Sequence, residues 1–338
     1  MSTAPDGRPT WADVDLGAFR RNVDAVTRML PERSRLIAVA LLEEALQLRR
    51  AGIALPLLVL GPLSETGIRT AAENDIVVGI VGPEELAAAV NVARDRDVKI
   101  HLKLDSGMNR MGLTTADLGA ARELIRSAPR LKVEAIYTHF ANASDPDDPF
   151  TRTQIETFRA MLSTLAVDAP LHHAANSAAT VRGLVTPGDF VRCGIVLFGA
   201  DPLDKNGTRL EPLLRWRTEI ARLKTVPAGS GIGYGTTFHT KRESRIATLP
   251  VGYADGYDRL LSNRGEVVIR GMRAPVVGRV SMDLVTIDVT DVPNAALGDE
   301  VVLLGKEIPA EEHAARTSTI AYEVFCRISA RVPRVYRS

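Results

Sequence analysis

Residue types that move protons or bind anions fall in four short clusters of this 338-residue sequence. Histidine and tyrosine serve as general acids and bases, lysine amines attack carbonyl carbons, and arginine binds carboxylates and phosphates. Together they predict acid–base chemistry on a small anionic substrate. The clusters are HLKLDSGMNRMG at 101–112, YTHFANAS at 137–144, HHAANSAAT at 172–180 with VRCGI at 191–195, and GIGYGTTF through VGYADGY to GRVSMD at 231–283.

The first three clusters lie in a region where short β-branched runs alternate with amphipathic segments, from about residue 16 to 200. This βαβα pattern is typical of an α/β protein with a parallel sheet or barrel, and barrel enzymes place their sites at the carboxyl ends of the strands. A closed (β/α)8-type barrel has eight strands, so either one strand escapes the pattern or one βα unit is absent. The seven predicted strands are 33–39, 56–60, 75–81, 98–104, 131–138, 170–175 and 190–197.

The sequence changes character after about residue 205, where glycine and proline separate valine-rich runs. Such a pattern is typical of antiparallel β structure. The early run at 10–16 (TWADVDL) is also strand-like, and we expect it to pair with this second domain before a helix at about 16–30. The prediction is a barrel domain at 12–205 and a mainly antiparallel β domain at 206–338. About residues 8–14 are expected to form part of the β domain.

Composition excludes several classes of protein. The formal net charge of +1 provides no general attraction to nucleic acid or to an anionic membrane, and no apolar run approaches the roughly 20 residues that span a bilayer. Only two cysteines are present, and the polar start of the chain lacks the apolar core of a secretion signal. We therefore expect a cytoplasmic protein that acts on small molecules.

In combination, the four clusters resemble those of the alanine racemase family, over nearly the whole chain. The resemblance implies a pyridoxal 5'-phosphate (PLP) enzyme with an N-terminal barrel and a C-terminal β domain, which interconverts L-alanine and D-alanine. It also implies a head-to-tail homodimer in which the active sites are shared, with a small amino acid as the substrate and no metal ion.

The resemblance assigns cofactor contacts to several residues. Arg192 matches an arginine that donates to the pyridine nitrogen, and because a guanidinium keeps its proton, the ring stays unprotonated. Ser177, the backbone N–H groups of Gly194 and Ile195, and Tyr322 match phosphate contacts. The alternative interpretations are that Arg192 belongs to a surface ion pair and that Ser177 is an ordinary helix cap.

The resemblance also assigns the acid–base groups. Tyr234 matches a catalytic tyrosine assisted through a chain from Arg192 to His139 to Tyr234, because a phenol is mostly protonated at neutral pH and needs help to act as a base. Without the resemblance, Tyr234 would be a turn aromatic and His139 a satisfied core histidine. Lys103 matches a lysine that is often carbamylated and that orients an arginine, here Arg110, toward the substrate carboxylate and the phenolic oxygen of the cofactor.

Three further positions match the entrance to the family's active site. Met282, with Asp283 beside it, matches a substrate-gate loop contributed by the other subunit. Tyr253 matches a tyrosine at the entrance. These positions carry the prediction of a shared dimeric site.

One family motif is missing. The family's Schiff-base lysine lies at the end of the first barrel strand, but the first lysine of this chain is Lys99. The run 35–39 resembles the start of the first strand and 40–46 the end of the second, as if about 25–30 residues, one βα unit, were absent between them. We therefore predict severely impaired racemase activity.

Alternative hypotheses are a catalytically silent homologue that binds a phosphate-bearing ligand, a structural or regulatory dimer, and a deletion from an active parent. Lys103 is the only lysine that the pattern places in the barrel mouth, which makes it the one candidate for a substitute.

Overall fold

The computed structural model describes residues 7–30, 36–184, 190–203 and 210–338. The chain divides into two compact units, here called the half-barrel unit (Val26–Gly194) and the β unit (the residues up to Ala25 together with Ile195–Ser338). In chain order the first elements are β1 (Thr10–Asp15), α1 (Leu16–Arg28), β2 (Ile37–Val39), α2 (Leu42–Arg50), β3 (Leu57–Val59), α3 (Glu65–Glu73), β4 (Ile76–Ile80), α4 (Pro83–Val92), β5 (Val98–Lys103), α5 (Leu118–Ser127), β6 (Leu131–Tyr137), α6 (Phe150–Leu165), β7 (Leu171–His173) and α7 (Ser177–Val181).

The half-barrel unit is built on one parallel sheet whose strands follow in the order β2-β3-β4-β5-β6-β7. Leu57, Ile100 and Leu102 are fully buried in its core, which the helices cover. Burial on both faces explains why these strands read as nearly continuous apolar runs rather than as alternating patterns. The predicted parallel βα architecture is confirmed.

The predicted seventh strand at 190–197 is wrong. Within the described residues the sheet has six strands; Arg192 forms only an isolated bridge with Asn176, and Ile195–Phe198 is a 3-10 turn. The run FVRCGIVL is β-branched enough to suggest a strand, but after the bridge its backbone turns away from the sheet. Residues 33–35 of the first predicted strand lie outside the described residues.

The chain junction after β2 differs from the interior of the sheet. All three residues of β3 are buried, whereas Ala38 of β2 is exposed. The backbone turns at once from β2 into α2, where the Glu44 carboxylate accepts hydrogen bonds from Ala40 N (3.0 Å) and Leu41 N (2.9 Å). A single three-residue strand therefore leads directly into a helix at the predicted junction.

The β unit is mainly antiparallel, as predicted. Strand β1 pairs antiparallel with β8 and parallel with β17, which confirms that the early run joins the second domain. Its large sheet has the order β14-β13-β16-β8-β1-β17, and β15-β12-β9 and β10-β11 form two smaller sheets. These later elements are β8 (Leu214–Glu219), β9 (Arg222–Val226), β10 (Gly231–Ile232), β11 (Phe238–His239), β12 (Ser244–Leu249), β13 (Glu266–Ile269), β14 (Met272–Pro275), β15 (Val285–Asp288), β16 (Glu300–Leu304), α8 (Ala310–Thr317), α9 (Ala321–Arg327) and β17 (Arg334–Arg337).

In the parts of the chain that the structure describes, no helix combines the length and the apolar character that crossing a bilayer requires.

Candidate active site

Three neighbouring strands of the half-barrel unit end in the predicted site residues. Lys103 is the last residue of β5, His139 follows β6 by two positions, and Ser177 begins α7 shortly after β7. The strand register pairs Lys103 with Tyr137 and Tyr137 with His173. Because the strands are parallel, these side chains lie at one edge of the sheet, as the pattern predicted.

Arg192 is the centre of this edge. Its Nη1 lies 2.6 Å from His173 Nδ1, and its Nη2 lies 3.0 Å from His139 Nδ1. The same nitrogen donates to the carbonyl oxygens of Thr138 (2.7 Å) and Ala174 (3.0 Å). The guanidinium also lies over the Tyr137 ring, 5.4 Å from its centroid. Arg192 is therefore held by the half-barrel itself and is not a surface ion pair.

These contacts fix the protons on three histidines. A guanidinium only donates, so His173 Nδ1 and His139 Nδ1 both accept from Arg192. His173 must then carry its proton on Nε2, which lies 2.9 Å from His101 Nδ1 and donates to it. His139 likewise carries its proton on Nε2. The hydrogen bonds thus run in one direction, from Arg192 through His173 to His101.

Burial and the Arg192 charge keep these histidines neutral. Desolvation, with the Arg192 charge as a smaller cause, lowers the pKa of His101 to about 4 and of His139 to about 3, and lowers that of His173 well below 6.5. Burial also lowers the pKa of Arg192, to about 10. At neutral pH the Arg192 cation is therefore in contact with neutral imidazoles.

Helix α6 positions the segment that carries His139. Gln154 is fully buried on α6, and its amide nitrogen donates to the His139 carbonyl oxygen at 3.0 Å. Its amide oxygen accepts from Ala141 N at 2.8 Å. One side chain therefore pairs with both the His139 carbonyl and the Ala141 N–H, and it thereby holds in place the turn after β6 that carries His139.

Lys103 and Arg110 lie in different surroundings. Lys103 is only 6% exposed, whereas Arg110 is exposed at the end of the following loop. Asp105 holds that loop, because its Oδ1 accepts from Gly107 N (2.9 Å) and Asn109 N (3.0 Å). Desolvation, followed by the charges of Arg110 and Arg192, lowers the pKa of Lys103 to about 8.

The predicted phosphate contacts come together in part. Gly194 N donates to Ser177 Oγ at 3.1 Å, while the Asn176 side chain caps α7 by accepting from Ala179 N. Ser177 is therefore a partner of the 191–195 loop, and Asn176 is the helix cap. Ile195 lies in the β unit, buried at the start of a 3-10 turn.

The β unit contains the remaining predicted residues. A surface depression of about 560 Å³ is lined by Tyr234, Tyr253, Met282 and Asp283. Tyr234 is 74% exposed and lies between Gly233 and Gly235, both in the left-handed region with φ of 68° and 69°. Any Cβ on Gly252 would collide with the carbonyl oxygens of Ser281 and Met282, so glycine allows the two loops to touch. Tyr322 is in the first turn of α9 and is not among the residues that line this depression.

Sequence reasoning missed four residues at these sites. His101 and His173 lie within the quoted motifs, and a two-residue spacing from Lys103 could have marked His101 as facing the same side of the strand. Arg259 and Arg279 also line the β-unit depression. Arg279 is part of the run GRVSMD, so the motif itself carried the signal. Among the described residues, no cluster of His, Cys, Asp and Glu could hold a metal ion.

Comparison with known proteins agrees with this arrangement. The family model for the alanine racemase N-terminal domain matches residues 18–202, and the model for the C-terminal domain matches residues 213–336. The alanine racemase of Halothermothrix orenii is 39% identical, over 98% of this chain and 97% of its own length. That of Sorangium cellulosum is 41% identical, over 97% of this chain and 91% of its own length.

Solved structures show the same similarity. The alanine racemase of E. faecalis superposes with a TM-score of 0.92 at 32% identity, covering 99% of this chain and 100% of that chain. The enzyme of D-cycloserine-producing Streptomyces lavendulae also gives 0.92, at 35% identity, and covers 99% and 98% of the two chains. Both halves of the chain match the same family, and we conclude that this chain belongs to the alanine racemase family.

Proposed function

We propose that this chain is a PLP-dependent isomerase that acts on L-alanine and D-alanine, with activity severely reduced by the loss of the family's lysine. Alanine racemases are PLP-dependent, and the observation that carries the assignment here is the cluster at the strand ends in which Arg192 contacts the buried His173 and the half-buried His139. We propose domain limits of 12–205 for the cofactor-binding barrel and 206–338, with about 8–14, for the β domain.

The donor set fits the phosphate-bearing end of the cofactor. Gly194 N and Ser177 Oγ are bonded to each other, and Gly194 is exposed with open space beside its Cα. A phosphate can replace that single bond with two, one from the N–H and one from the hydroxyl. We assign Ser177, Gly194, Ile195 and Tyr322 to the phosphate.

The covalent end of the cofactor has no counterpart at the expected strand. The carboxyl end of β2 is Val39, followed by Ala40 and Leu41, and none of these carries an amine. The alignment with the H. orenii enzyme spans 370 positions, more than the 338 residues of this chain, so the relative has residues where this chain has none. The difference in length supports the loss of about one βα unit, and the absence of an amine after β2 is the reason that we place the loss at this junction.

When bound, PLP withdraws electrons from the α-carbon of an amino acid and thereby makes its α-proton removable. The residues of this chain then have separate tasks. Arg192 stays cationic at neutral pH and keeps His139 in the tautomer with the proton on Nε2. We assign proton exchange to the Tyr234 hydroxyl, binding of the substrate carboxylate to Arg110, and the substrate entrance to Tyr253, Met282 and Asp283.

We further propose a homodimer in which Met282 and Asp283 serve the site of the other subunit. Sedimentation gives the stoichiometry, and mixing inactive Arg192→Met chains with chains inactivated by a substitution of Asp283 tests the sharing, because one site of the mixed dimer would contain neither change. Unmixed chains are the control. Failure of mixing to restore activity in chains that do exchange would contradict shared sites.

The two cysteines, both free thiols, support a reducing cytoplasm.

The activity is tested by solvent-deuterium exchange at the α-carbon of alanine in the presence of PLP. We expect slow exchange, accelerated by insertion of a lysine-bearing βα unit between Val39 and Ala40. The matched control is the same insertion with methionine in place of its lysine. Absence of both exchange and PLP binding in both the original and the inserted chain would overturn the proposal.

A further inference from the structure

We propose that Lys103 has taken over as the covalent anchor of this chain, forming an imine between its Nζ and the aldehyde carbon of PLP. This inference rests on the proposed function, because it concerns the same cofactor site. It assigns to Lys103 a role different from the one that the family resemblance gives this position.

Lys103 is a buried amine without a partner. It is 6% exposed, and in the described ranges its Nζ makes no hydrogen bond or ion pair. The Nζ atom is partly reached by solvent rather than fully enclosed, and desolvation together with the charges of Arg110 and Arg192 disfavours its ammonium form, which Asp105 only partly offsets. A buried amine at the strand ends, free of partners, is available to react with a ligand that enters there.

The other described lysines are more exposed than Lys103. Lys99, at the opposite end of the same strand, forms an ion pair with Asp75 at 2.6 Å, which raises its pKa. The remaining four, all exposed, are Lys132, Lys224, Lys241 and Lys306. Lys205 lies outside the described residues. Lys103 is thus the one buried lysine in the described part of the chain.

The charges around Lys103 also favour its reaction. Arg110 and Arg192 are cations, His139 is neutral, and among the described residues Asp105 is the one carboxylate that acts on the amine. With a pKa of about 8, roughly half of the amine is neutral at pH 8 and about a tenth at pH 7. An unshifted lysine would be almost entirely protonated under the same conditions, and only the neutral amine is a nucleophile.

Lys103 shares its edge of the sheet with the proposed phosphate contacts. It ends β5, while Ser177 follows β7 two strands away in the same sheet, and Gly194 N donates to Ser177. A ligand with an aldehyde and a phosphate at its two ends therefore has a recognition group for each within the half-barrel unit. This pairing is what separates specific attachment from random modification of surface lysines.

The step balances without an oxidant or a reductant. The Nζ lone pair attacks the aldehyde carbon and forms the C–N bond, and one of the two amine protons moves to the carbonyl oxygen. The oxygen then leaves as water with the second amine proton, and the C=N double bond remains. Carbon dioxide competes for the same neutral amine, so carbamylation of Lys103 and imine formation exclude each other.

The experiment is borohydride reduction of the full chain after incubation with PLP at pH 8, followed by peptide mass mapping. We expect one adduct per chain, on the peptide that contains Lys103, and inhibition of labelling by inorganic phosphate. Lys103→Met should abolish the adduct. Lys99→Met, on the same strand, is the matched control and should leave it unchanged.

The outcomes separate this inference from the proposed function. PLP that binds, detected by equilibrium dialysis, but labels no lysine or only exposed ones would overturn the anchor while leaving the cofactor site intact. Absence of PLP binding would overturn both. Circular dichroism of Lys103→Met shows whether the variant is folded. If it is not folded, labelling of the parent chain by PLP is compared with labelling by a hundredfold excess of pyridoxal, which lacks the phosphate. We expect PLP to remain the more effective reagent at Lys103. Equal labelling by the two aldehydes would show random modification and would overturn the anchor.

Discussion

Replacement of Lys103 by methionine should stabilise the chain at neutral pH. Lowering the pKa of Lys103 from 10.5 to about 8 corresponds to about 3 kcal/mol of unfavourable free energy for the folded, charged amine, at about 1.4 kcal/mol per pH unit. Relaxation and water near the strand ends reduce the measurable part to about 1–2 kcal/mol. Methionine is of similar length, apolar and adaptable, so its packing cost is small.

The sign of the pH dependence follows from the direction of the shift. The folded state loses the Lys103 proton near pH 8, whereas the unfolded chain keeps it up to about 10.5. Between these values the unfolded state binds more protons, so the stability of the parent chain rises with pH. The advantage of Lys103→Met is therefore complete below pH 8 and disappears as pH approaches 10.5.

Urea denaturation of the full chain at pH 7 and pH 9.5, before PLP is added, measures both effects. Lys99→Met is the matched control: its ion pair with Asp75 is exposed, so we expect a loss of about 0–1 kcal/mol with little pH dependence over this range. A destabilised Lys103→Met at pH 7, or an effect equal at both pH values, would refute the reasoning, because Lys103 would then be paired or carbamylated.

Three other predictions concern buried polar groups and backbone contact. Because the pKa of His101 is lowered to about 4, the unfolded state binds more protons than the folded state below pH 6.5. The melting temperature should therefore fall as the pH is lowered from 6.5 to 4. The fall should be less steep in His101→Gln, whose amide oxygen can still accept the hydrogen bond from His173. Tyr257→Phe should be neutral or stabilising by about 1 kcal/mol in urea denaturation, because the Tyr257 hydroxyl is buried and has no hydrogen-bond partner in the described part of the chain. A loss above about 1 kcal/mol would indicate a hydrogen bond. Gly252→Ala should cost about 1–3 kcal/mol, since the new Cβ meets the Met282 carbonyl oxygen; unchanged stability would show that the loops separate easily.

The parallel sheet and the β unit were predictable because their signals are local. Runs of β-branched residues bounded by turns predicted β3 to β6 to within a few residues, and the strand-like run at Thr10–Asp15 predicted pairing with the second domain. The run at 190–197 has the same composition but makes only one bridge. Composition alone does not distinguish a paired strand from an extended loop that leaves the sheet.

The candidate site was predictable in its members but not in its hydrogen bonds. Ser177, Arg192 and His139 were identified from motifs, and the structure brings them to one edge. That Arg192 also donates to His173, and His173 to His101, depends on β5 and β7 both flanking β6, which brings together two histidines 72 residues apart in sequence. The lowered pKa of Lys103 likewise arises from burial and from neighbours on other loops, which no single-sequence spacing reveals.

The loss of a βα unit need not destroy the rest of such a site, because each strand of a parallel barrel pairs with its sequence neighbours. Removing residues between the first strand and the second helix leaves one strand, β2, that leads directly into α2, and the order β2 to β7 stays continuous. Arg192, His139 and Lys103 are positioned by β5, β6 and β7, at the far side of the sheet from the junction. The proposed deletion removes the amine of the first strand, whereas Arg192 and the imidazoles that it contacts stay in place. In such a half-barrel the most direct chemical replacement is a buried amine already present at the same edge, and Lys103 meets that requirement.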